Sequence, residues 1–133
     1  MEHHIFKAEH NQKFHDCIEA EFDGHFYDWK ITVLFYVAIH YLKALAILRG
    51  IEIGETHIEI EKSVNPDRNT AKMRLTRNAW REYRNLFNYS RTARYEGISD
   101  FATFEQLKKL DHAYCVQHLD NFKKYMGSQG LAV

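Results

Sequence analysis

The chain has 133 residues, with 18 basic and 18 acidic side chains that cancel to a formal net charge of zero, which excludes a globally basic nucleic-acid binder. Apolar residues make up 45% and charged residues 27%, so the chain is neither disordered nor fibrous and is long enough for one domain with its own core. A single Pro and six Gly are too few for the many tight turns of a β-sandwich.

In chain order, the first predicted helix runs from about Lys7 to Glu21, with Phe14, Ile18, Glu21 and Phe22 marking its inward edge at helical spacing. Asp23-Gly24 ends it, and Asp28 is placed to cap the next helix. The second helix spans about Trp29 to Leu48. Within it, Ile31 to Leu48 is 18 residues with only Thr32, His40 and Lys43 clearly polar. That reaches the length of a membrane span. Lys43 near its centre would cost about 2.5–3.5 kcal/mol in a bilayer, so the expectation is a buried central helix and no membrane. Gly50 sits where a C-terminal cap belongs.

Residues 51–66 read as an irregular link. Ile51-Glu52-Ile53 and Ile58-Glu59-Ile60 alternate briefly, as strands or helix turns do, and Asn65-Pro66 is a turn signal with Asp67 a helix cap. The third helix is expected from Arg68 to Tyr95, with Ala79, Tyr83, Leu86 and Ser90 on its core face, Trp80 and Phe87 beside them, and Gly97 closing it. Thr103-Phe-Glu-Gln106 spells a capping box for a fourth helix. Its inward stripe reads Phe104, Leu107, Asp111, Tyr114, Leu119, Phe122 and Met126. The expectation is one all-α domain, residues 1–133 with a core of about 7–126, built as a four- to five-helix up-down bundle.

The clearest chemical signal is segregated charge. From Lys62 to Arg94 nine basic residues face only Asp67 and Glu82, a local charge of +7, while residues 1–30 carry three Lys against seven acids, −4. Arg74, Arg77, Arg81, Arg84, Asn88 and Arg91 recur at steps of three or four, one stripe of a helix. Like charges so spaced repel, which calls for an anionic partner. That partner is either phosphate, gripped by Arg forks, or carboxylates of the first helix, of Glu52, Glu55, Glu59 and Glu61, or of a second subunit.

His40 in the apolar helix and His57 in the link are the candidate titrating groups. No metal site is expected: Cys115 and His118 share a face, His112 lies on another, and His10, Phe14 and Cys17 form no set. There is no Gly-rich phosphate loop, Ser elbow or His-Glu-x-x-His run, so no cofactor is expected. Two distant thiols, Cys17 and Cys115, make no disulfide framework, and the opening Met-Glu-His-His lacks the pattern of a signal peptide. The expected setting is cytoplasmic.

Two segments together resemble HEPN-like helical domains. Tyr27-Asp-Trp-Lys-Ile-Thr-Val-Leu-Phe-Tyr-Val-Ala-Ile-His40 is similar to their second helix, and Tyr83-x-x-Leu86 followed by Ser90-Arg-Thr-Ala-Arg-Tyr95 is similar to the end of their third; His57 falls where many of them carry a His. The resemblance implies a helical bundle, a homodimer, and RNA- or nucleotide-directed work beside a nucleotidyltransferase or in a toxin–antitoxin or defence system. Active members carry an Arg followed within a few residues by a His. Here Arg49 and His57 are too widely spaced and misplaced, and the motif is missing.

The leading expectation is therefore an RNA- or nucleotide-phosphate-binding module using Arg74, Arg77, Arg81, Arg84 and Arg91. The alternatives are a divergent metal-independent ribonuclease using His40 or His57 with Arg91, Arg94 and Tyr95, and a structural protein-interaction module.

Overall fold

The computed structural model describes residues 1–95 and 101–133, with backbone alone at 94, 95 and 101–103. Among the described residues there are five helices and no strand: α1 (Glu2–Glu21), α2 (Tyr27–Leu48), α3 (His57–Val64), α4 (Arg77–Tyr95) and α5 (Phe101–Ser128). The all-α bundle expected from the pattern is the architecture found.

Helix α2 is apolar nearly all round, and it is the centre. It packs against α1, α4 and α5, and α4 also packs against α5. The helix is long and apolar enough to cross a membrane, but most of it is buried inside this fold. Ile31, Phe35, Leu42 and Leu45 are fully enclosed. Its left-handed exit at Gly50 (φ 68°) lets the Gly50 N–H reach the Ile47 carbonyl (3.0 Å) and the Ile51 N–H reach that of Ala46 (2.8 Å), a Schellman closure for which glycine carries no Cβ penalty.

Contacts along the helices set their directions. His4 meets His40 and Glu19 meets Lys30, so α1 runs antiparallel to α2. His118 meets Glu82 and Tyr89 stacks on Tyr114, so α5 runs antiparallel to α4. Tyr27 touches His112, and Arg49 near the other end of α2 bonds Gln129, which sets α5 parallel to α2.

Several local expectations are corrected. Residues 57–64, read as link, form α3. Thr56 caps it by accepting the Glu59 N–H at 3.1 Å, while the Glu59 carboxylate accepts the Glu55 N–H at 3.0 Å; Thr56-His-Ile-Glu59 is itself a capping-box pattern. Conversely, the helix expected from Arg68 begins at Arg77. Met73 and Leu75 donate their N–H groups to the carbonyls of Ser63 (2.8 Å) and Val64 (3.1 Å), and both side chains are buried while Lys72 and Arg74 face water. That two-residue alternation belongs to extended chain. Thr76 then caps α4 by accepting the Ala79 N–H at 3.2 Å.

Asp28 does not cap α2. Phe26 holds the N-cap position in a left-handed conformation at φ 60°, and Asp28 lies in the first turn, where a carboxylate suits the helix dipole. On α1, Ala8 and His15 face inward, whereas Phe14 and the C-cap Phe22 are about half exposed and Glu21 faces solvent, so three of the four residues expected at its inward edge point outward. On α4 the expected face of Ala79, Tyr83, Leu86 and Ser90 is buried. On α5 the buried stripe is Phe104, Lys108, His112, Cys115, Leu119, Phe122 and Met126, with Leu107 and Tyr114 outside. The spacing is helical throughout, but Lys108 and His112 are polar and mask it. Gly97, read as a helix stop, lies outside the described residues; Thr103, read as the cap of the last helix, falls inside it instead, because α5 already begins at Phe101.

The inward register predicts a clear contrast. Leu119, 2% exposed, should cost about 2–5 kcal/mol as Leu119→Ala through lost burial and the cavity left behind. Phe14→Ala, at a site 52% exposed, should stay within about 0.5 kcal/mol. Urea unfolding of the two variants checks both values.

Candidate nucleic-acid interface

The basic face starts where Thr76 begins α4. From there Arg77, Arg81, Arg84, Asn88 and Arg91 all point to solvent, because the opposite side of α4 is occupied by Ala79, Tyr83 and Leu86 in the core. Arg74 does not belong to this stripe. It precedes the helix, and its guanidinium donates to the carbonyls of Arg68 (2.9 Å) and Asn69 (3.4 Å), bracing the loop.

Among the described residues, three acids near the stripe have other partners. Glu61 pairs with Arg68 at 3.1 Å, Glu55 with Lys43 at 3.6 Å, and Glu82 with His118 at 2.6 Å. Arg77 is held by Asp67 at 2.8 Å. Among the described residues, Arg81, Arg84 and Arg91 pair with no carboxylate. The acidic α1 packs on a different helix, α2.

Arg77, Trp80, Arg81, Arg84, Asn85 and Asn88 line an open groove of about 270 Å³. The Arg84 guanidinium lies 5.8 Å from the centre of the Trp80 ring, within range of a cation–π contact. A smaller hollow of about 30 Å³ adjoins it, lined by His57, Glu61, Trp80, Tyr83, Arg84 and Phe87. His57 reaches it from the first turn of α3, with its ring 5.6 Å from Phe35 and 5.3 Å from Phe87. Gly54 makes this placement possible: its φ is 95°, and a Cβ there would collide with Glu59, the residue that closes the α3 cap. The structure thus brings together His57 and Arg84, a pairing the linear order did not suggest.

His40 is elsewhere. It lies on the α1 side of α2, about 140° around the helix from Phe35 at 100° per residue, and its Nδ1 is 3.0 Å from Nδ1 of His4. Burial first, then the neighbouring His4, Lys43, Lys7 and His3 charges, hold its pKa down to about 4. His40 and His57 are therefore on separate faces of α2. Arg91 is one turn beyond Phe87, exposed. The side chains of Arg94 and Tyr95 lie outside the described residues.

A second cluster was not visible in the sequence. His15 and Glu19, one turn apart on α1, meet His112 of α5, and these three could hold a metal ion. Cys115 and His118, one turn apart on α5, have other roles. Burial pushes the Cys115 thiol up to about 12, and His118 serves Glu82. The signal for the cluster was the His15-x-x-x-Glu19 spacing; nothing local pointed to His112 as its partner.

No family model matches the chain, and neither a search of curated proteins nor one of solved structures finds a match.

His40 generates a pH prediction. Its folded pKa of about 4 lies below the ordinary value of about 6.5 in an unfolded chain. Between those values the unfolded chain binds more protons, so stability falls as pH falls through this window. Thermal melts from pH 7 to 4.5 should show that decline, and His40→Gln should make it shallower.

Proposed function

We propose that this chain is a HEPN-like helical module that binds single-stranded RNA on the outer face of α4. The observation that carries the proposal is the groove lined by Arg77, Arg81, Arg84 and Trp80, in which Arg81 and Arg84 have no carboxylate partner among the described residues. Three features support it. The guanidinium groups are planar donors suited to phosphate oxygens and are spaced along the helix. Trp80 offers an aromatic platform on which any base can stack. Zero net charge with a local excess on one face gives an electrostatic footprint without a globally basic surface. Arg91 extends the footprint by two turns beyond Arg84, whereas Arg74 is committed to its loop.

The test is fluorescence anisotropy of a labelled single-stranded RNA at rising salt, with and without EDTA. Wild type should bind at low salt, and log Kd should rise linearly with log salt. The Arg81→Ala, Arg84→Ala, Arg91→Ala triple variant should bind at least tenfold more weakly. Its salt slope should be shallower by about 2, since each single-strand phosphate contact contributes about 0.7. Trp80→Ala should weaken binding by about 1–3 kcal/mol with little change in slope. No binding at low salt, or a triple variant indistinguishable from wild type, would overturn the proposal.

The ribonuclease reading finds one specific support, the shared hollow of His57 and Arg84. There an imidazole could move a proton while a guanidinium meets phosphate charge. Its signature is RNA cleavage in EDTA that disappears in His57→Ala.

A further inference from the structure

The His15–Glu19–His112 cluster stands apart from the α4 face and does not depend on any RNA-binding role. His15 and His112 are 5% and 8% exposed. Their Nε2 atoms are 2.8 Å apart, and Glu19 Oε2 is 3.6 Å from His112 Nε2. Glu19 Oε2 is buried and accepts no hydrogen bond. The Lys30 ammonium stands 3.4 Å from that oxygen, a charge contact that makes no hydrogen bond to it, so Oε2 keeps its lone pairs free for a closer cation. We propose that His15, Glu19 and His112 bind a divalent transition ion of the zinc class, joining α1 to α5.

The geometry fits such an ion. Ligand bonds of about 2.0–2.1 Å in a tetrahedral shell set ligand atoms about 3.3 Å apart. The spacings of 2.8 Å and 3.6 Å bracket that value, and all three ligand atoms lie within 4.8 Å of one another. Asp16 Oδ1 is 2.9 Å from His15 Nδ1. A carboxylate only accepts, so His15 carries its proton on Nδ1 and offers a bare Nε2, the outer-shell arrangement that orients a ligating imidazole. In the metal-free pair His112 Nε2–H donates to His15 Nε2. On binding, that proton moves to His112 Nδ1 through solvent, so both imidazoles stay neutral and no net proton is released. Two imidazoles and a carboxylate are the donor set of zinc and its neighbours rather than of calcium or magnesium.

Lys30 is the cation that faces the cluster, with Nζ 3.4 Å from Glu19 Oε2. It is also held by the Phe22 carbonyl at 2.9 Å and the Tyr27 ring at 4.6 Å. Lys30 therefore keeps two partners when Glu19 turns to an ion.

The experiment strips the full chain with EDTA, exchanges it into metal-free buffer, and titrates it with zinc chloride by calorimetry. Melting curves are recorded with and without zinc. One zinc per chain and a raised Tm are expected. His112→Gln and Glu19→Gln should each weaken zinc binding at least 100-fold and abolish the Tm shift. Glu19→Gln keeps the shape of the side chain, and its circular dichroism is compared with wild type to certify the fold. Asp16→Asn, which leaves all three ligands in place, should cost 10–100-fold in affinity. Failure to take up zinc would overturn the proposal. So would uptake that survives Glu19→Gln and His112→Gln but is lost in His4→Gln, which would assign the ion to the His4–His40 pair.

Discussion

Helix α2 cannot be left in water. Across 22 residues it presents apolar side chains in every direction, and each Å² of that surface costs about 25 cal/mol when wet. The chain answers by laying α1, α4 and α5 around it, with Ile60 and Val64 of α3 and the buried Met73 and Leu75 joining the same core. Because those helices turn their apolar faces to α2, their outer faces are left for polar chemistry. The acidic α1 and the basic α4 also lie against the same central helix rather than neutralising one another in a shared interface. A chain of zero net charge can in this way keep Arg81, Arg84 and Arg91 without a carboxylate partner among the described residues.

The core differs from one region to another. Around Phe35 it is aromatic, with Tyr83, Phe87 and His57 grouped about one ring. Where the end of α1 meets the start of α2 and the middle of α5, it is polar. Lys30 there is fully enclosed, and His15, Glu19 and His112 lie close by. Buried polar groups are tolerated when each finds a partner, and here the partners come from three helices distant in the chain. The aromatic region lies beneath the groove on α4, whereas the polar one gathers Lys30, His15, Glu19 and His112.

Much of the fold was legible in the residues themselves. The 18-residue apolar run named the central helix, Gly50 named its end, and Ala79, Tyr83, Leu86 and Ser90 named the inner face of α4. The errors share a cause. Apolar character points Phe14 and Leu107 inward, yet both are exposed. His15, Lys108 and His112 are inward although polar, since His15 and His112 pair across two helices and Lys108 meets Asp111 and the Phe104 ring on its own helix. Spacing alone places Arg74 on the helix, but the bonds of Met73 and Leu75 to the end of α3 hold that stretch extended.

By itself, the sequence determined the helical class, the central helix and the cationic excess between residues 62 and 94, because periodicity, apolar length and charge are local quantities. Only the tertiary structure decided which of the described arginines pair with a carboxylate, that His57 joins Arg84 rather than His40, and that His15 and Glu19 meet His112. Each of those depends on which helix faces which, a choice made by packing around α2 rather than by any one segment.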